Sequence, residues 1–403
     1  MRIMRQPLWL YENEIPQLPD GWRMLRTEDA CIQLKPGKLF ETKTVSNIGA
    51  VPVLNQSEEG FLGYHDEVPG VEASRENPVV TFANHTCALR LMKTPFSSIQ
   101  NVFPKVGIPE LVDTTFFYYA VRGRVGFTDY KGHHPLFRQM FIPVPPLQIQ
   151  RRIAGILSAY DELIANNQRR IAVLEQMARA LYREWFVHFR APGVVMKEGD
   201  ELPEEWEVKR LGEVADSVRS SVAKGEIHEA VPFLGLEHIP RRSLALDAWE
   251  YTTELGSSKL QFQKGDILFG KIRPYFHKVS VAPFSGLCSA DTIVIRSKRS
   301  EHFALVTCLA SSDEFVAHAS ATANGAKMPR ADWKVLKNFH VRVAPPAVLE
   351  KFSAFVMPAI EQMQTLVFQN VNLRRTRDLL LPRLMSGRVE LDLQLETDGS
   401  FQR

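Results

Sequence analysis

At 403 residues, 45% hydrophobic and 24% charged, the chain has a globular composition and room for two or three domain cores. Its net charge of +3 neither marks a nucleic-acid binder nor excludes one, since the placement of cations matters more than their sum. No apolar run reaches the roughly 18 residues of a membrane span, and Met1 to Arg5 lead to Glu12 and Glu14 without the apolar core of a signal peptide. The scattered Cys31, Cys87, Cys288 and Cys308 form no CxxC pair and fit reduced thiols in the cytoplasm.

From Trp22 to about Ile142 short apolar runs alternate with Gly and Pro. Val79-Val80-Thr81-Phe82 and Phe116-Phe117-Tyr118-Tyr119 read as strands, within an α+β region rich in loops. Pro143, Pro145 and Pro146 then make a stiff lead-in to a helix over Leu147 to Phe186. Its apolar residues fall at Ile149, Ile153, Ile156, Tyr160 and Leu163 and resume at Ile171, Leu174, Met177 and Leu181. Steps of four and three make a heptad-like seam, with Asn167 at one seam position.

The chain then repeats itself. Leu202-Pro203-Glu204-Glu205-Trp206 matches Leu18-Pro19-Asp20-Gly21-Trp22, and Ala344-Pro345-Pro346-Ala347 matches Val144-Pro145-Pro146-Leu147. A second long helix carries Leu349, Phe352, Val356, Met363, Val367, Asn370 and Leu373 at seam spacing, with Leu380 and Leu384 beyond. Pro358 is expected to kink or break it. Two modules of this size, each with one long helix, imply a duplicated frame carrying two variable heads. Each helix has an apolar stripe to bury, and the simplest partner is the other helix, in parallel or antiparallel. A seam Asn commonly fixes register.

These residues resemble the specificity (S, HsdS) subunit of Type I restriction-modification systems. The stretch Ile142-Pro143-Val144-Pro145-Pro146-Leu147-Gln148-Ile149-Gln150-Arg151-Arg152-Ile153 looks like that family's central repeat, and Arg377-Asp378-Leu379-Leu380-Leu381-Pro382-Arg383-Leu384-Met385-Ser386-Gly387 is similar to its C-terminal repeat. Lys264-Gly265-Asp266-Ile267-Leu268-Phe269 and Gly325-Ala326-Lys327-Met328-Pro329-Arg330 match its common strand and loop in the second head. The first head lacks that strand motif; Arg75-Glu76-Asn77-Pro78-Val79-Val80 is the candidate for its place. The resemblance implies an α+β, pseudo-twofold protein. Its target recognition domains, 1–143 and 191–343, would be separated by helical spacers 144–190 and 344–390 packed as an antiparallel coiled coil, with a tail 391–403. Its expected partners are double-stranded DNA, two methyltransferase subunits and, in the full complex, restriction subunits. S-adenosylmethionine and ATP with Mg are expected on those partners, and no cofactor or metal on this chain.

The two Pro-Pro pairs lack the Asn or Asp and the aromatic residue of an adenine methyltransferase loop, and no GxxxxGK[ST] loop, GxSxG elbow or HExxH helix occurs. The expected role is therefore non-catalytic recognition. Candidate DNA contacts in the first head are Lys35, Lys38 and Lys43, and a group of Arg122, Arg124, Tyr130, Lys131 and His133. In the second head they are Lys271, Arg273, Tyr275, His277 and Lys278, with Asn324, Lys327 and Arg330 on another loop. Arg and Lys suit guanine edges and phosphates, and Asn suits adenine. Two other readings are a free-standing duplicated DNA-binding regulator and a coiled-coil protein scaffold.

Overall fold

The structure, a computed structural model, describes residues 18–58, 60–126, 132–196, 199 and 201–389. The chain divides into two compact units: Met1–Glu162 with Arg374–Arg403, and Leu163–Leu373. Among the described residues no helix is long and apolar enough to cross a membrane.

In the first unit the Pro19–Trp22 turn needs a left-handed residue, which Gly21 supplies at φ 78°. It feeds the strand Arg23–Arg26, which pairs antiparallel with Phe141–Val144. A four-stranded sheet follows in the order Cys31–Gln33, Val102–Gly107, Val79–Ala83, Leu89–Met92. A three-stranded sheet has the order Gly63–His65, Val51–Leu54, Ser97–Ser98. Phe82, Phe116, Phe117 and Phe137 form a core with Ile153 and Leu157 of the first long helix and Leu381, Leu384 and Met385 of the second.

One expected strand is a helix. Residues Thr114–Val121, which include Phe116-Phe117-Tyr118-Tyr119, are α-helical. Asp113 caps this helix by accepting the Phe116 N–H at 2.8 Å. With most of its residues buried, the helix reads in sequence as a continuous apolar run, as a buried strand would.

The second unit reuses the plan. Its turn at Pro203–Trp206 places Glu205 at φ 65°, where the first copy has Gly21. Glu207–Arg210 pairs with His340–Val343. The four-stranded sheet runs Ala215–Val218, Thr292–Ser297, Ile267–Gly270, Val279–Val281, the connectivity of its counterpart. Its other sheet has five strands, and like its counterpart holds one parallel pair, Leu234 opposite Cys288 as Leu54 is opposite Ser98. By this connectivity Val79–Ala83 stands where Ile267–Gly270 stands, so the stretch ending Asn77-Pro78-Val79-Val80 does occupy the place of the missing motif.

The long helices span Leu147–Tyr182 and Pro346–Met385. The second is unbroken across the exposed Pro358, whose ring lies off the buried stripe. Within the second unit Asn167 pairs with Asn370 and Trp185 packs 5.8 Å from Phe352. Advancing along one helix thus retreats along the other, so these segments run antiparallel. The first unit has the same sense, with Asp161 on Arg377 while Ile153 and Leu157 share a core with Leu381 to Met385. The first helix continues as a π-turn over Arg183–Val187, which turns both Trp185 and Phe186 into the core.

The seam of the second helix follows the spacing, with Leu349, Phe352, Val356, Met363, Val367, Asn370 and Leu384 buried and Leu373 and Leu380 partly so. On the first helix the stripe shifts by one residue. Ile153 and Asn167 are buried, and Ile149, Ile156, Tyr160 and Leu174 partly so, but Leu163 is 51% and Met177 61% exposed. Leu157, Ile164 and Ala178 take the inward places. A straight helix drifts against a strict heptad, and the adjacent apolar pairs Leu163-Ile164 and Met177-Ala178 leave both registers open in sequence.

The Asn167 amide N–H donates to the Asn370 side-chain oxygen at 3.0 Å, and both residues are buried. Asn370→Leu alone strands a buried amide and is expected to cost about 1–3 kcal/mol. The double change Asn167→Leu/Asn370→Leu should recover most of that loss. A urea-denaturation cycle of the full chain checks both.

Candidate nucleic-acid interface

In the second unit the turn at Lys264-Gly265-Asp266 is fixed by Asp266, 2% exposed, whose carboxylate accepts two bonds from Arg296 at 2.6 and 2.7 Å and one from the Gln263 N–H at 2.7 Å. The strand it launches, Ile267–Gly270, ends in a loop over residues 271–278. Arg273 at φ 50° and His277 at φ 53° are both left-handed around a tight turn at Pro274–Phe276. That backbone costs a non-glycine residue roughly 1–2 kcal/mol and persists only where the surroundings impose it.

The surroundings are visible. His277 is buried, and its Nε2 faces the Ser311 carbonyl at 2.9 Å; burial holds the ring below the ordinary histidine range. The Lys278 ammonium donates to the Leu236 carbonyl. Arg273 N–H donates to the Pro329 carbonyl at 2.7 Å, and Ala331 N–H to the Lys271 carbonyl at 2.9 Å. Asn324 and Arg330 exchange backbone bonds at 2.9 and 2.8 Å. The two candidate loops of this head therefore lie side by side.

Tyr275 projects from the turn at 56% exposure. The guanidiniums of Arg241 and Arg273 lie 4.1 and 5.9 Å from the centroid of one ring, Phe276. Asn324, Lys327 and Arg330 are exposed, with Arg330 3.7 Å from Asp291. The Lys278 ammonium is held below the ordinary lysine range first by burial and then by the neighbouring Arg241. This concentration of cations around aromatic rings suits an anionic, stackable ligand.

The first unit places its candidates differently. Lys35 is exposed on a loop and Lys43 on a single 3-10 turn, Thr42–Thr44, and Lys38 is paired with Glu67 at 2.6 Å. Arg122 reaches inward to Asp161 at 3.4 Å, where the Tyr119 hydroxyl also donates at 2.7 Å. Arg124 donates to the Phe141 carbonyl at 2.6 Å. His133 is buried, with Nδ1 facing the Asn84 carbonyl at 3.1 Å. Arg122, Arg124 and His133 thus hold the head together, as do His277 and Lys278 in the other. Tyr130 and Lys131 lie outside the described residues.

The profile described as the Type I restriction modification DNA specificity domain matches residues 135–176. The chain is 25% identical to the MjaIX specificity subunit of Methanocaldococcus jannaschii over 332 residues, 75% of each chain. It is 25% identical to the EcoDI specificity subunit of Escherichia coli over 368 residues, 82% of this chain and 79% of that one. The crystal structure of the Type I S subunit from M. genitalium superposes with a TM-score of 0.60 at 15% identity, covering 94% and 98% of the two chains, and so shares the fold. Over most of its length the chain is thus similar to specificity subunits of Type I restriction-modification systems.

The connectivity shared by the two units identifies loop residues that spacing alone missed. Cys87, two residues before the strand Leu89–Met92, is left-handed at φ 57°, as His277 is two residues before Val279–Val281. The loop over residues 84–88 is therefore the counterpart of 271–278. The His133 N–H donates to the Asn84 carbonyl at 3.0 Å, much as Ala331 closes onto Lys271. Exposed Thr86, together with His85 and Gln56, forms the rim here: the Thr86 hydroxyl and the His85 N–H both bond to Gln56. None of these carries the charge that a search for basic residues looks for. Arg241 was missed because it lies 30 residues before Lys271 and meets this loop only in the fold, through its bridge to Lys278 and its place over the Phe276 ring.

His277→Ala is expected to lower stability by about 1–3 kcal/mol, because it leaves the Ser311 carbonyl buried and unpaired. Tyr275→Ala and Lys327→Ala, both on exposed side chains, should stay within about 0.5 kcal/mol. Thermal denaturation of the full chain separates the two classes.

Proposed function

We propose that this chain is a specificity subunit that reads a split duplex-DNA target, one half with each head. It supplies recognition and no catalysis of its own. The helices set the unread gap between the halves and dock two methyltransferase subunits, to which restriction subunits add in the full complex. S-adenosylmethionine and ATP with Mg bind those partners, and the assembly works in the cytoplasm.

The observation that carries this reading is the strained 271–278 loop, with Arg241, Arg273 and Tyr275 gathered beside the 324–330 loop, on a frame that recurs in the first unit. Phosphate contacts from Arg241, Lys327 and Arg330 would orient the head, and Tyr275, Arg273 and Asn324 are the residues suited to base edges. The exposed Leu163, Val173 and Met177 of the first helix support partner docking, since they are apolar and lie off the stripe that packs inward.

The experiment replaces residues 22–142 with the corresponding head of another specificity subunit, co-expresses the chimera with the cognate methyltransferase, and sequences the host methylome. The expected result is adenine methylation with one half of the target changed and the other retained. Methylation of an unaltered target would contradict the reading.

A further inference from the structure

Lys105 is an anomaly in the first unit. It is 3% exposed, on the strand Val102–Gly107, facing a cleft of about 530 Å³. The cleft is lined also by Cys31, Glu28, Phe103, His134 and Arg138. A buried ammonium is costly unless its three donors and its charge are met. The Lys105 Nζ donates to Gln33 Oε1 at 3.1 Å and lies 5.5 Å from the centre of the Phe137 ring. Among the described residues no carboxylate pairs with it; Glu28, the acidic side chain of this cleft, is bound to Arg138 at 2.7 Å.

The duplicated frame supplies an internal control. Gln33 opposite Lys105 in the first unit corresponds to Ser217 opposite Ile295 in the second. Ile295 is fully buried in an apolar core. The fold therefore does not require a cation at this position. A second side chain in the cleft is also unmet: His134 stacks on Phe103 at 3.9 Å, and its buried Nε2 has no hydrogen-bond partner. Burial, reinforced by Lys105 and Arg138, holds this imidazole down to about 4, so it is neutral near pH 7 and able to donate or accept one bond there.

We propose that this cleft in the first head is a binding site for a phosphate group, with Lys105 supplying the compensating charge, Arg138 a second cationic contact at the rim, and His134 Nε2 a hydrogen bond. None of the loop residues assigned above to DNA reading lines this cleft, although the His134 N–H donates to Asn84 Oδ1 of the 84–88 loop at 2.9 Å, and binding there can be tested without DNA.

The test is calorimetric titration of the full chain with inorganic phosphate at constant ionic strength, balanced with chloride, alongside its thermal denaturation. Wild type is expected to bind phosphate and to melt higher in its presence. Lys105→Ile, the residue of the second unit, should melt no lower than wild type without phosphate and should lose about tenfold or more in phosphate affinity. Should that variant fail to fold, Arg138→Gln, on a half-exposed side chain, should weaken phosphate binding several-fold with melting unchanged. Repeating the titration with a duplex oligonucleotide present distinguishes the sources of the phosphate. Competition identifies a DNA backbone phosphate, and independence identifies a soluble phosphate compound. No binding by wild type, an equal effect from chloride, or unchanged phosphate affinity in the folded variants would overturn the proposal.

Discussion

The mutual burial of the two helix stripes is the constraint on which the rest of the architecture depends. Neither helix can leave its row of Leu, Ile, Val and Phe in water, and each segment finds its partner in the other helix. Apolar burial alone is indifferent to sliding, because one leucine packs much like the next. Polar groups set the register. In the second unit Asn167 must meet Asn370, and in the first Arg377, 8% exposed, must meet Asp161. A slip by one turn would leave an amide or a charge buried without a partner, which costs more than the apolar contacts could regain.

The heads are attached to this frame by similar means. Gln150, fully buried on the first helix, accepts the Asp113 N–H and donates to the Leu111 and Pro145 carbonyls. Glu175 does the same for the second head by accepting from Ser243 and from the Leu244 and Ala245 N–H groups. Each head is thus clipped to its helix segment by one buried polar side chain. The loops proposed to read DNA follow strands whose cores merge with the helix stripe. A recognition loop built in this way can vary in sequence while its backbone stays where the frame holds it.

Much of this was legible in the sequence because duplication removes ambiguity. One Pro-Pro lead-in is a weak signal, whereas two in matching contexts define a module. The Asn residues stood out because a polar residue on an apolar stripe has no other ready explanation. The sequence failed where two structures share one pattern. Phe116 to Tyr119 would suit a buried strand or a buried helix, and the difference lay in the cap at Asp113. Leu163 and Ile164 could each fill the stripe, and only the helix pitch chooses between them. The site was less legible than the fold. Basic residues in loops proved to be of two kinds: Lys327 and Arg330 face outward, while Arg122 binds the helix carboxylate of Asp161 and Arg124 and His277 bind backbone carbonyls of their own heads. Sequence carries no mark of that distinction. The loop over residues 84–88 escaped notice because it is uncharged, and only its place in the sheet connects it to its counterpart.

The account stands on two loops, one in each head, meeting two different halves of one DNA site. Photo-crosslinking tests this directly. A benzophenone amino acid is placed at Thr86 in one preparation and at Tyr275 in another, each assembled with the methyltransferase on the mapped target duplex. The account predicts that crosslinks from the two positions fall in opposite halves of the site, with the unread gap between them. Crosslinks from both positions in the same half, or none from either above the level at an outward-facing helix position such as Arg169, would contradict it.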